Sequence, residues 1–170
     1  MIEGFEKTRL AGSIAAGALD EVNSIIKPGI STSEIDRLCY QYINDHKAFS
    51  APLYYRGYPK SCCTSSNHVV CHGIPSEKIL NEGDIINVDV TAIKDGWHGD
   101  TSRMFVVGEC SIKAKKLIKT TYEAMMKAIQ TIKANANIGN IGFTIQKIVE
   151  AQGFSVVRDF CGHGIGKNFH

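Results

Sequence analysis

The 170-residue sequence carries 19 Lys and Arg against 17 Asp and Glu, a net charge of +2, with 44% hydrophobic and 21% charged residues. These proportions describe an ordinary globular chain and exclude wholesale disorder, and a charge so near neutral gives no case for DNA as a partner. No apolar run approaches the ~20 residues of a membrane helix, and the acidic start Met1-Ile2-Glu3-Gly4-Phe5-Glu6-Lys7 lacks a secretory core, so a cytoplasmic protein with no membrane association is expected.

A chain of this length suits one domain over 1–170 that buries roughly 70% of the surface exposed by its unfolded form. Leu10, Ile14, Ala18, Val22 and Ile25 with Ile26 recur at three- and four-residue intervals, predicting an amphipathic helix over 5–26. Lys27-Pro28-Gly29 ends it. Ser31-Thr32-Ser33-Glu34 has the form of a capping box and opens a second helix through Ile35, Leu38, Tyr42 and Ile43. A loop-rich stretch with Pro52, Gly57 and Pro59 leads to a predicted strand at 68–72, after which Gly73-Ile74-Pro75 turns the chain. Strands over 84–93 and 97–108 flank Asp95-Gly96, residue types suited to a tight hairpin turn. Ser111 caps a predicted helix of about 20 residues, 141–152 gives a shorter helix, and a last strand is expected near 154–160. Helices and antiparallel strands in mixed order make this an α+β chain.

The hairpin makes the strongest geometric case. With a two-residue turn, paired positions sum to 191, so Thr91 faces Asp100 and Asp89 faces Ser102. Alternation then puts 89, 91, 100 and 102 on one face, with Asp89 and Asp100 as diagonal neighbours about 7–8 Å apart at the backbone. Two convergent acids repel, and a cation resolves the conflict. Asp89 also interrupts the apolar run Ile85–Val90, where a buried carboxylate must be paired or coordinated. His163, between Gly162 and Gly164, and His72, before Gly73, occupy accessible backbone bends, whereas His46, His68 and His98 read as structural or surface residues.

The six cysteines, at 39, 62, 63, 71, 110 and 161, are too sparse for a disulfide scaffold and form no C-x-x-C, so buried or pocket-lining thiols are expected. Gly162-x-Gly164-x-Gly166-Lys167 lacks the spacing of a phosphate loop, and neither H-E-x-x-H nor G-x-S-x-G occurs.

Five segments are informative together: Pro59-Lys60-Ser61, Asn67–Pro75, Gly83–Thr91, His98-Gly99-Asp100-Thr101-Ser102 and Cys161–Gly166. In order and spacing they resemble bacterial type I methionine aminopeptidases, from about residue 5 to 170. The resemblance implies the pita-bread fold of creatinase and the aminopeptidases, a curved antiparallel sheet covered by helices, and metal-dependent removal of the initiator methionine from nascent proteins by hydroxide attack on the first peptide bond. It implies two divalent ions (Co, Mn, Fe or Zn) held by two Asp, one His and two Glu. Asp89 and Asp100 match the aspartates and His163 the histidine. His72 and His170 match the substrate-contacting, catalytic histidines. Tyr55, Tyr58, Cys63 and Phe169 match the walls of the methionine pocket, and Pro52 stands where close relatives often carry a cysteine.

The family's chain continues beyond the point where this one stops and there supplies both glutamates, which neither Glu109 nor Glu150 replaces by motif. The expectation is therefore a C-terminally truncated chain that needs the absent segment for full activity. Two ions bring +4 against the −2 of the aspartates, so at most a weakened metal site is expected. Expected partners are the N-terminal Met of nascent peptides, the ribosome, and a second copy of the chain through an incomplete sheet. A non-catalytic peptide- or ribosome-binding module on the same fold is the alternative, which the five retained residues Asp89, Asp100, His163, His72 and His170 disfavour. Motif wording also disfavours a proline-directed dipeptidase.

Overall fold

The structure, a computed structural model, describes residues 2–170 and divides into two compact units. One runs to Cys110 and takes in His163–His170; the other is Ser111–Gly162.

The first unit is built around a hairpin. Strands β3 (Ile85–Lys94) and β4 (Trp97–Val106) pair antiparallel from Lys94↔Trp97 to Ile85↔Val106, the register expected from a two-residue turn. Asp95 and Gly96 carry φ values of 51° and 77°, as a turn matching the strands' twist requires. Strand β1 (Phe49–Ser50) pairs with β3 at Ile93 and Ala92, and β2 (Cys63–Ser66) pairs with its other end, from Asp89 to Ile86. The even positions Ile86, Val88, Val90 and Ala92 of β3 are fully buried in the core.

Helix α1 (Ile2–Ile25) lies against both long strands, contributing Ile14, Ala18, Leu19 and Val22 to that core. Leu10, expected on the inward stripe, is instead 45% exposed, and Ala11 beside it is buried. The reason is close approach. A Cβ on Gly99 of β4 would fall on the backbone of Ala11 and Gly12, so the contact line selects the smallest side chains and turns Leu10 outward. Helix α2 (Thr32–Asp45) starts with the predicted capping box: Ser31 Oγ accepts from the Glu34 N–H at 3.2 Å and Glu34 accepts from the Ser31 N–H at 2.8 Å.

Two predicted strands are absent from their places. Residues 68–72 form a loop, and the strand lies earlier, at Cys63–Ser66. Asn67 and His72 take left-handed conformations (φ 53° and 54°) that turn the chain at both ends of the loop, so Val69-Val70-Cys71 gains no ladder. All four residues of β2 are buried, yet three are Ser or Thr, which conceals the strand from a hydrophobic pattern. Residues 154–160 are irregular as well. The Phe154 N–H to Val149 C=O bond at 3.2 Å closes the preceding helix, and among the described residues no strand pairs with this segment.

In the second unit, α3 (Ile112–Ile129) begins where Ser111 Oγ accepts from the Ala114 N–H at 3.2 Å. It packs on α4 (Gly139–Ala151), which starts two residues before the predicted position as the Asn137 side chain takes the Gly139 N–H at 2.8 Å. All six cysteines are free, four of them buried.

Candidate active site

The face of the hairpin opposite the core carries the site. Asp89 and Asp100 stand at diagonal positions of the ladder, with their carboxyl groups close enough for each to oppose the other's ionisation. Asp89 is half-buried, more open than its apolar strand suggested, and Asp100 is exposed. Loss of water, then the neighbouring Asp100, pushes the Asp89 carboxyl up to about 7, and only the His163 charge opposes this.

Both aspartates line a cavity of about 550 Å³. One wall is the short turn Tyr55–Gly57 with Tyr58, whose hydroxyl lies 3.0 Å from the carbonyls of both Cys62 and Gly73 and so ties the turn to β2. Cys63, opposite Asp89 in the ladder, adds a thiol that burial pushes up to about 11, with the two aspartates adding to the effect. It stays protonated near neutral pH, without thiolate character. Burial also raises the Tyr58 hydroxyl, and a hydrogen bond with Cys39, then burial, raises the Cys62 thiol, leaving the Cys62-Cys63 pair without thiolate character.

The opposite end of the sequence supplies a ring cluster. Phe169 and His170 stack with centroids 4.5 Å apart, His170 lies 4.4 Å from the His163 ring, and Tyr55 Oη is 3.0 Å from His170 Nδ1. Desolvation, then the His163 and Arg56 charges, lower the His170 pKa and favour a neutral imidazole. His163 Nδ1 lies 3.0 Å from the Gly164 carbonyl, and His72 joins the lining from its left-handed bend.

His98 has a structural role, one of the two readings its sequence context allowed. It is buried, and both its backbone N–H (2.8 Å) and its Nδ1 (3.0 Å) reach the Gly166 carbonyl, pinning the segment with His163 and His170 to β4. Its position two residues before Asp100 was the available signal. Thr91, Ile74 and Arg56 also line the cavity and were not singled out; for Thr91 the shared face with Asp89 was the clue.

Asp89 and Asp100 fit one divalent cation by type and charge, since a cation relieves the repulsion between two neighbouring carboxylates. They do not fit two, and among the described residues no three His, Cys, Asp or Glu side chains converge closely enough to hold a metal.

A family model described as metallopeptidase family M24 matches residues 6–170. The chain belongs to that family. It is 54% identical over 170 residues to the methionine aminopeptidase of Escherichia coli strain K12, covering 99% of this chain and 64% of that protein. A methionine aminopeptidase of Rickettsia prowazekii is 54% identical over 166 residues, covering 98% of this chain and again 64% of the relative. The crystal structure of methionine aminopeptidase from Rickettsia prowazekii superimposes with a TM-score of 0.98 at 52% identity, over 100% of this chain and 68% of the other. The fold is thus the pita-bread type expected, and the chain spans somewhat under two thirds of the curated relatives it matches.

Proposed function

We propose that this chain forms the methionine-recognising part of a metal-dependent aminopeptidase that removes the initiator methionine from nascent proteins in the cytoplasm. The observation that carries the reading is the diagonal pair Asp89 and Asp100 lining one cavity with His72, His163 and His170. The methionine aminopeptidase relatives support it, and the single family match over 6–170 supports taking both units as parts of one catalytic domain.

Asp89 and Asp100 would supply the carboxylates for one divalent ion, and His163, which lines the same cavity but does not converge with them here, would move in to complete the set; Co, Mn, Fe and Zn all accept such donors. When bound, the ion supplies Lewis acidity that activates water and polarises a peptide carbonyl. The remaining work falls to side chains. Tyr55, Tyr58, Cys63 and Phe169 offer aromatic and sulfur surface to a thioether. His170, neutral near pH 7, and His72 would steady by N–H donation the charge that develops at the scissile amide and relay to the leaving nitrogen the proton that the attacking water loses. Nascent chains bring the ribosome within reach as a partner. Among the described residues β4 pairs with β3 alone, which leaves an edge where copies of the chain associate.

The test is metal stoichiometry and hydrolysis of a Met-Gly peptide by the purified chain in one anaerobic preparation with Mn(II) or Co(II). One weakly held ion is expected, with Met-Gly peptides preferred over Ser-Gly peptides and Asp100→Asn abolishing metal binding. Unchanged metal binding in Asp100→Asn, or no preference for methionine, would overturn the reading.

A further inference from the structure

Arg56 lines the cavity, yet the proposed reaction gives it no task. Its loop is built with effort. Tyr54, Arg56 and Gly57 all take left-handed conformations (φ 66°, 49° and 83°), two of them in residues whose Cβ resists it. Backbone bonds from Tyr54 N–H to Tyr58 C=O (2.7 Å), Tyr55 N–H to Pro52 C=O (2.9 Å) and Tyr58 N–H to Tyr55 C=O (2.9 Å) hold the loop in that shape. Strain held in place by surrounding bonds is characteristic of ligand clamps.

The result is a placed cation. The Arg56 guanidinium lies 5.5 Å from the centre of the Tyr55 ring, and the Tyr55 hydroxyl touches His170. Among the described lining residues Arg56 is the one Arg or Lys, it is exposed, and it forms no ion pair with any described residue. The same cavity holds the two aspartates, so its lining is electrically polar: carboxylates at one site and a guanidinium at the solvent-facing rim.

We infer that Arg56 is a specificity-determining residue that selects peptides carrying a carboxylate downstream of their first residue. The inference rests on the aminopeptidase reading. A peptide whose N-terminal ammonium is drawn to the carboxylate pair runs outward past the rim, where an acidic side chain meets the guanidinium. Arginine suits the task because its planar fork meets a carboxylate through two hydrogen bonds. The contact is exposed, so its effect is modest and falls with salt.

The experiment measures affinities by fluorescence anisotropy, with Mn(II) present, for labelled Met-Ala-Glu-Ala, Met-Ala-Gln-Ala and Met-Ala-Lys-Ala amides and a Ser-Ala-Gln-Ala control. The Glu peptide is expected to bind about two- to fivefold more tightly than the Gln peptide at low ionic strength, with the Lys peptide weakest. At ~0.5 M NaCl the ranking collapses. Arg56→Gln removes it and Arg56→Glu inverts it. Equal affinities for the three Met peptides in the unaltered chain at low salt would overturn the inference, and if those peptides still exceed the Ser control the aminopeptidase reading stands. No preference over the Ser control would overturn both. The salt comparison on the unaltered chain decides the matter even where a variant folds poorly.

Discussion

Asp89 is the carboxyl group most altered by its surroundings, and it makes the site proton-sensitive. With its carboxyl raised to about 7 in the folded metal-free chain, against an ordinary value near ~3.9 when unfolded, the folded state keeps a proton that the unfolded state has released. The stability associated with it is fully present below about pH 4, falls as pH rises towards 7, and is then constant. Urea midpoints of the chelator-treated chain and of Asp89→Asn, taken from pH 4.5 to 8, are expected to draw together at acid pH and to separate in favour of the variant as pH rises. A constant difference across that range would contradict the raised Asp89 carboxyl. The same proton must leave when a divalent ion arrives. Titration calorimetry at pH 6 in buffers of differing ionisation enthalpy should therefore show release of about one proton per Mn(II), against none at pH 9.

At the level of elements, the hairpin is placed by its contact with α1, and Gly99 is the residue that permits that contact. A Cβ at this position meets main-chain atoms of Ala11 and Gly12, which cannot rotate away. Gly99→Ala is therefore expected to destabilise the chain by about 3 kcal/mol and to move Asp100 enough to weaken metal binding as well. Thermal melting and Mn(II) titration of the variant check both effects. The same close contact explains what sequence could and could not reveal. The β3–β4 register, and with it the Asp89–Asp100 pair, was readable because Asp95-Gly96 admits one kind of turn and the side-chain period is two. The capping box of α2 was readable because its bonds are local. Leu10 was misplaced because the stripe on α1 is set by a neighbour's missing side chain, which periodicity cannot show. Strand β2 was missed because its Ser and Thr are buried by tertiary contacts, and 68–72 was taken for a strand because apolar residues sit there without a partner. The pocket walls were named from family likeness; no local pattern would have joined Tyr55 to His170 across 115 positions.

Across the whole chain, burial is unevenly shared. The principal core cluster, from Ile14 to Val107, lies within the first unit, as do all residues lining the cavity. In the second unit, the buried residues of α3 and α4 are Thr120, Ala124, Ala128 and Val149, while Ile112, Ile138 and Phe143 are 87%, 84% and 68% exposed. Helices of 18 and 13 residues are marginal without tertiary burial, and small residues at their contact supply little of it. Local opening should therefore cost far less there than in β3, where four consecutive even positions are fully enclosed. Hydrogen exchange is expected to run at least about tenfold faster for α3 and α4 amides than for those of β3 and α2, with limited proteolysis cutting first between residues 130 and 138. Uniform protection across both units would show that α3 and α4 draw stability from more than their mutual contact.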